Sequence, residues 1–161
     1  MKKLLVKYSL ILLVGIFIEW WIVWSSPLNL PQFIPGTPID IGGLLLTGLL
    51  LVTLIPALKE ANKISSKTIS QLTIFGALIC FSAEIIFQPI RIFWLETHPL
   101  SDEFQFLLIG TIGVSLFASV FSFFIAFQLK TRKTKALIGL IVAFIIIVNI
   151  FKYWLWFMNK P

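Results

Sequence analysis

Two of the seven acidic residues, Glu19 and Glu84, lie inside long apolar runs. Glu84 shares its run, TISQLTIFGALICFSAEIIFQPIRIFWLETH (68–98), with Gln88 and Arg91. Two carboxylates sheltered from water are the ingredients of general acid–base chemistry. A guanidinium beside them has the planar fork that matches phosphate oxygens. Steps of three and four residues place side chains on one helix face. Thr73, Gly76, Cys80, Glu84, Gln88 and Arg91 follow those steps, so one face is small or polar while the others are Ile, Leu and Phe. Charge in hydrocarbon is costly and normally faces protein, water or an opposite charge. The helix that carries Glu84 therefore requires neighbours.

The rest of the chain offers those neighbours at a matching height. Glu19, Glu84 and Asn149 each lie roughly 14 to 16 residues above the start of their apolar runs, about 21 to 24 Å at the helical rise. Gln88, Arg91 and Lys152 fall one or two turns further out, and Thr47, Thr111 and Ser115 bring hydroxyls to similar levels from the runs between. The charges balance, Glu19 and Glu84 against Arg91 and Lys152. On a structural reading Glu84 and Arg91 are bridged by Gln88 and Glu19 pairs with Lys152, fixing helix order; the other structural option is that Arg91 and Lys152 snorkel to the interface and are not buried. On a functional reading the layer lines a cavity open to the outer side. Intramembrane ionisable residues are a functional hypothesis by default, and Glu19 with Glu84 form the charged site on this reading. Gln88 and Asn149 are its hydrogen-bonding partners and Arg91 its anion anchor or counter-ion.

The elements that must position these groups are membrane spans. The chain has 161 residues, 58% hydrophobic and 12% charged, with a mean hydropathy of +0.99; soluble domains carry about twice that share of charge. Apolar runs of span length predict an all-α polytopic integral membrane protein, five transmembrane helices in one bundle and a single membrane domain. The spans are expected at about 4–24, 41–58, 69–95, 104–129 and 135–158. The first run lacks a cleavage site and contains Glu19, so it reads as a retained span rather than a signal peptide. Trp20, Trp21 and Trp24 at its far end read as an interfacial aromatic belt. Residues 25–40 hold four prolines and form an extracytoplasmic loop. KEANKISSK (59–67) and KTRKTK (130–135) are basic loops and ETHPLSDE (96–103) is an acidic one. Pro89 is expected to kink the third span near Ile85.

Orientation follows from the basic residues. With the N-terminus in the cytoplasm, Lys2, Lys3, Lys7, Lys59, Lys63, Lys67, Lys130, Arg132, Lys133 and Lys135 are all cytoplasmic, ten of the thirteen. Asp40, Glu96, Asp102 and Glu103 are then outside and the C-terminus is extracytoplasmic, as the positive-inside rule requires. The expected location is the plasma membrane, or the inner membrane of a Gram-negative source. The net charge of +6 thereby serves topology and not nucleic-acid binding.

Other chemistries find little footing. His98 is the only histidine and reads as a solvated loop residue; no metal or cofactor is expected. Cys80, flanked by Ile79 and Phe81, reads as a small packing residue. Gly-rich phosphate loops, HExxH and GxSxG are absent. Thr111, Ser115, Ser119, Ser122 and Ala126 form a small-residue stripe on the fourth span that permits close helix approach, to partner subunits or a second copy. Membrane lipids are the other expected partners. The functional expectation is a small membrane protein that binds or passes a small or lipid-like substrate at the polar layer, from the extracytoplasmic side. A membrane enzyme using Glu19 and Glu84 on a lipid or isoprenoid, and a structural subunit of a larger complex, are the alternatives.

Overall fold

Leu4, Tyr8, Leu12, Ile16 and Trp20 recur every fourth residue, and all five are buried along one face of the first helix, α1 (Lys2–Trp20). The computed structural model describes residues 1–22, 41–97, 107 and 109–158. The proline-rich loop, His98, Asp102 and Glu103 lie outside the described residues, as does Trp24.

The second helix, α2 (Ile41–Ile64), buries Leu50, Thr53, Leu54, Ala57, Leu58 and Ala61. That alternation of threes and fours keeps one seam facing its neighbours. It runs antiparallel to α1, because Lys7 meets Glu60 near one end and Gly15 abuts Leu49 further along. The helix continues through Lys59 to Ile64, past the point where the basic loop was expected, so the connection shrinks to a turn at 65–68. Pro56 sits within α2 without ending it.

Thr68 then opens the third helix, α3 (Ile69–Thr97), with a reciprocal cap. Its hydroxyl accepts from the Gln71 N–H at 3.2 Å, and the Gln71 side-chain oxygen accepts from the Thr68 N–H at 3.2 Å. Two otherwise orphaned donors are satisfied this way. Pro89 lies inside α3, which remains one helix from Ile69 to Thr97. A π-helical turn (Ile109–Gly113) leads into α4 (Val114–Thr131). Arg132 adopts a left-handed conformation (φ 54°, ψ 19°) that closes α4, and α5 (Thr134–Met158) starts two residues later.

The described residues are helical throughout, apart from short turns, and contain no strand. Three helical stretches are long and apolar enough to cross a membrane: Leu44–Ile64, Ile69–Glu96 and Thr111–Thr131. Helix α3 is the centre of the arrangement, packing most broadly on α4 and next on α1. It lies parallel to α1, with Ser9 Oγ donating to the Ile79 carbonyl at 3.1 Å and Trp20 resting on Phe87 and Trp94. Against α4 it is antiparallel, since Gly76 meets Ser122 and Gln88 reaches Leu107 and Thr111. Helix α5 rests chiefly on α4, and most of its described side chains from Thr134 to Ile147 are exposed.

Candidate functional site: a buried ion pair on α3

Leu72, Phe75, Ile79, Cys80, Ala83, Glu84, Phe87, Arg91 and Leu95 form the buried side of α3. Within this otherwise mostly apolar series, Glu84 is 1% exposed and Arg91 6%. Arg91 Nη1 lies 2.6 Å from Glu84 Oε2, a direct contact across two helical turns. Helical side chains lean toward the N-terminus of their own helix, which aims Arg91 back at Glu84. The guanidinium thus leans back along α3 toward Glu84 and is buried, as the pairing of the two residues requires and snorkelling does not. The contact is an ion pair between two buried side chains of one helix.

Aromatic rings complete the surroundings of Arg91. Its guanidinium carbon lies 5.0 Å from the Phe87 ring centroid and 5.7 Å from that of Trp20, within cation–π range. Trp20 in turn meets Phe87 (5.6 Å, 70°) and Trp94 (5.5 Å, 86°) edge to face. Trp20 therefore belongs to the interior and not to an interfacial belt. Its place on the Leu4–Tyr8–Leu12–Ile16 face decides this, whereas Trp21, one position round the helix, is exposed. Phe87 and Trp94 are parts of the site that residue spacing did not single out; their four- and seven-residue offsets from Ala83 and Phe87 were the available signal.

Gln88 does not bridge Glu84 to Arg91. Its amide nitrogen donates to the Leu107 carbonyl at 3.0 Å and to the Thr111 hydroxyl, tying α3 to the π-helical segment that leads into α4. Ser115 and Ser119 donate to the carbonyls four residues back, those of Thr111 in the π-helical turn and Ser115 in α4. Ser115, Ala118, Ser122 and Ala126 are buried, so the inner part of the α4 stripe is taken up by packing within the chain; Ser119 stays half-buried. Cys80 is fully buried, with its sulfur 3.8 Å from the Val114 carbonyl, in keeping with a packing role.

Glu19 is half-buried and engaged. Because Trp20 spans the level from Phe87 to Trp94, Glu19 stands about one and a half turns further along α3 than Glu84. The side chains of Asn149 and Lys152 lie outside the described residues, although α5 itself runs through both positions. At the opposite end, a second polar cluster escaped the sequence reading. Glu60 Oε2 accepts from Tyr8 OH at 2.7 Å and from Lys7 Nζ at 3.1 Å, joining α1 to α2.

The chemical content of the central site lies in the carboxylate. Glu84 Oε1 is buried and has no hydrogen-bond partner among the described residues, and the same holds for Gln88 Oε1. A buried acceptor left unpaired costs its full desolvation penalty. Native structures rarely leave such groups alone without a reason. The arrangement offers an acceptor next to a fixed cation under aromatic cover. No group of three or more potential metal ligands occurs among the described residues. No protein-family model, curated protein or solved structure matches the chain.

Proposed function

We propose that the chain is a five-span protein of the plasma membrane, N-terminus inside, that binds or passes a small or lipid-like substrate at the Glu84 site from the extracytoplasmic side. The observation that carries this reading is the unpaired Glu84 Oε1, buried within an apolar helix beside a guanidinium. A substrate with a hydrogen-bond donor or a positive centre would satisfy that oxygen. An anionic group would instead compete for Arg91. Three helical stretches of membrane-crossing length support the membrane setting. The first helix carries Lys2, Lys3, Lys7 and Glu19 and joins the bundle through its buried face. Alternating helix directions between α1 and α2 and between α3 and α4 agree with the proposed topology.

Two experiments test it. Protein purified from membranes is extracted with organic solvent, and the extract is compared by mass spectrometry with that of Glu84→Gln. The reading expects a compound retained in proportion to the wild-type protein and lost from a variant that still inserts and purifies. Identical extracts from two well-folded proteins would remove the proposal. Topology is read by placing single cysteines in a Cys80→Ser background and labelling intact cells with an impermeant maleimide. Labelling is expected at position 36 and not at position 66.

A further inference from the structure

We propose that the groove between α2, α4 and α5 is a site for one anionic phospholipid, drawn from the membrane leaflet at the basic end of the bundle. The groove has a volume of about 570 Å³ and almost wholly apolar walls, built from Leu51 and Ile55 of α2, Phe121 and Phe124 of α4, and Ile141 and Phe144 of α5. Lys59 and Gln128 stand at one end of it. It extends along α4 from Phe117 to Leu129, about 18 Å at the helical rise. One leaflet of a bilayer contributes about 15 Å of hydrocarbon, so the length suits a single acyl chain.

The charge at the mouth selects the headgroup. Lys59 has no carboxylate partner among the described residues, since the neighbouring Glu60 is held by Lys7 and Tyr8. Lys63 follows one turn later on α2, and Lys130, Arg132, Lys133 and Lys135 surround the α4–α5 turn at the same end. Basic pockets between membrane helices on one side of the bilayer are where anionic headgroups bind. A zwitterionic headgroup would gain little from this set of cations. The groove is remote from Glu84, so this inference stands or falls separately from the proposed function.

The test uses the full-length protein in detergent, titrated with dioleoylphosphatidylglycerol or dioleoylphosphatidylcholine and read by native mass spectrometry. One phosphatidylglycerol is expected to remain bound, favoured about fivefold or more over phosphatidylcholine. Lys59→Gln, an exposed position, should bring the two lipids close to parity. Ile141→Trp, which fills the groove, should remove the bound lipid while the helical circular dichroism is unchanged. Equal retention of both lipids, or a Lys59→Gln protein that still prefers phosphatidylglycerol by the same factor, would overturn the proposal. So would a dimer that carries no lipid, because a second copy would then cover the groove.

Discussion

The α3–α4 interface and the α4–α5 interface are built from the same helix, yet they differ in almost every respect. On its α3 side, α4 presents Ser115, Ala118, Ser122 and Ala126, small residues that let the backbones approach. There a Cβ added to Gly76 would collide with Ser122. On its α5 side, α4 presents Phe124, whose ring meets Phe144 at 5.9 Å, while Phe121 and Phe124 hold open a groove. Small side chains draw helices together and exclude other molecules. Large rings on sparse neighbours keep helices apart and leave room for them. The polar groups follow the same division, with the buried ion pair on the tightly packed side and basic residues at the mouth of the open one.

Breaking the ion pair should have the largest effect. Arg91→Ala strands Glu84 in the interior, and removing one partner of a buried pair costs about 3–5 kcal/mol. Thermal unfolding in detergent micelles should show a large fall in the midpoint, or failure to accumulate in the membrane. A midpoint close to wild type would mean that Glu84 is solvated.

Two glycines give a paired test of the packed seam and the uncovered face of α5. Gly76→Leu overpacks the α3–α4 seam and should destabilise by about 3 kcal/mol. At Gly139 on α5, a Cβ would meet nothing within 4 Å, so Gly139→Leu should change the midpoint little. Equal losses at both positions would show that the Gly139 face of α5 is covered and not open.

The smallest effect is expected at the Lys7–Glu60 tie between α1 and α2. Lys7 and Glu60 are 52% and 40% exposed at their side chains, and exposed pairs contribute little and are screened by salt. Glu60→Gln should lower the midpoint slightly at low ionic strength and not measurably at high ionic strength.

Much of this organisation was readable from residue order, though unevenly. The three-and-four spacing of Gly76, Cys80, Glu84 and Arg91 placed them on one face, and all four are buried. The small stripe of α4 was visible for the same reason, since helix periodicity depends only on order. The pairing of Glu84 with Arg91 was one of two readings, because a residue seven positions away is within reach for a long side chain but has other choices. Trp20 went astray for a physical reason: a tryptophan near the end of a span suits an interfacial belt or a core equally well. Only its helix face separates them. The Tyr8–Glu60 contact and the groove depend on helices distant in sequence coming together, and no local pattern encodes that. Asn149 and Lys152, assigned to the same layer by height, lie where side chains are outside the described residues.

The account rests on Glu84 and Arg91 acting as one buried unit within α3. A double-mutant cycle with Glu84→Gln, Arg91→Gln and the double variant, followed by thermal unfolding in a fixed lipid environment, measures this directly. The predicted result is strong non-additivity: the double variant loses less stability than the two single variants together, with a coupling of about 2 kcal/mol, as for contacting charged residues. Losses that simply add would contradict it, because the two side chains would then be answering to separate surroundings.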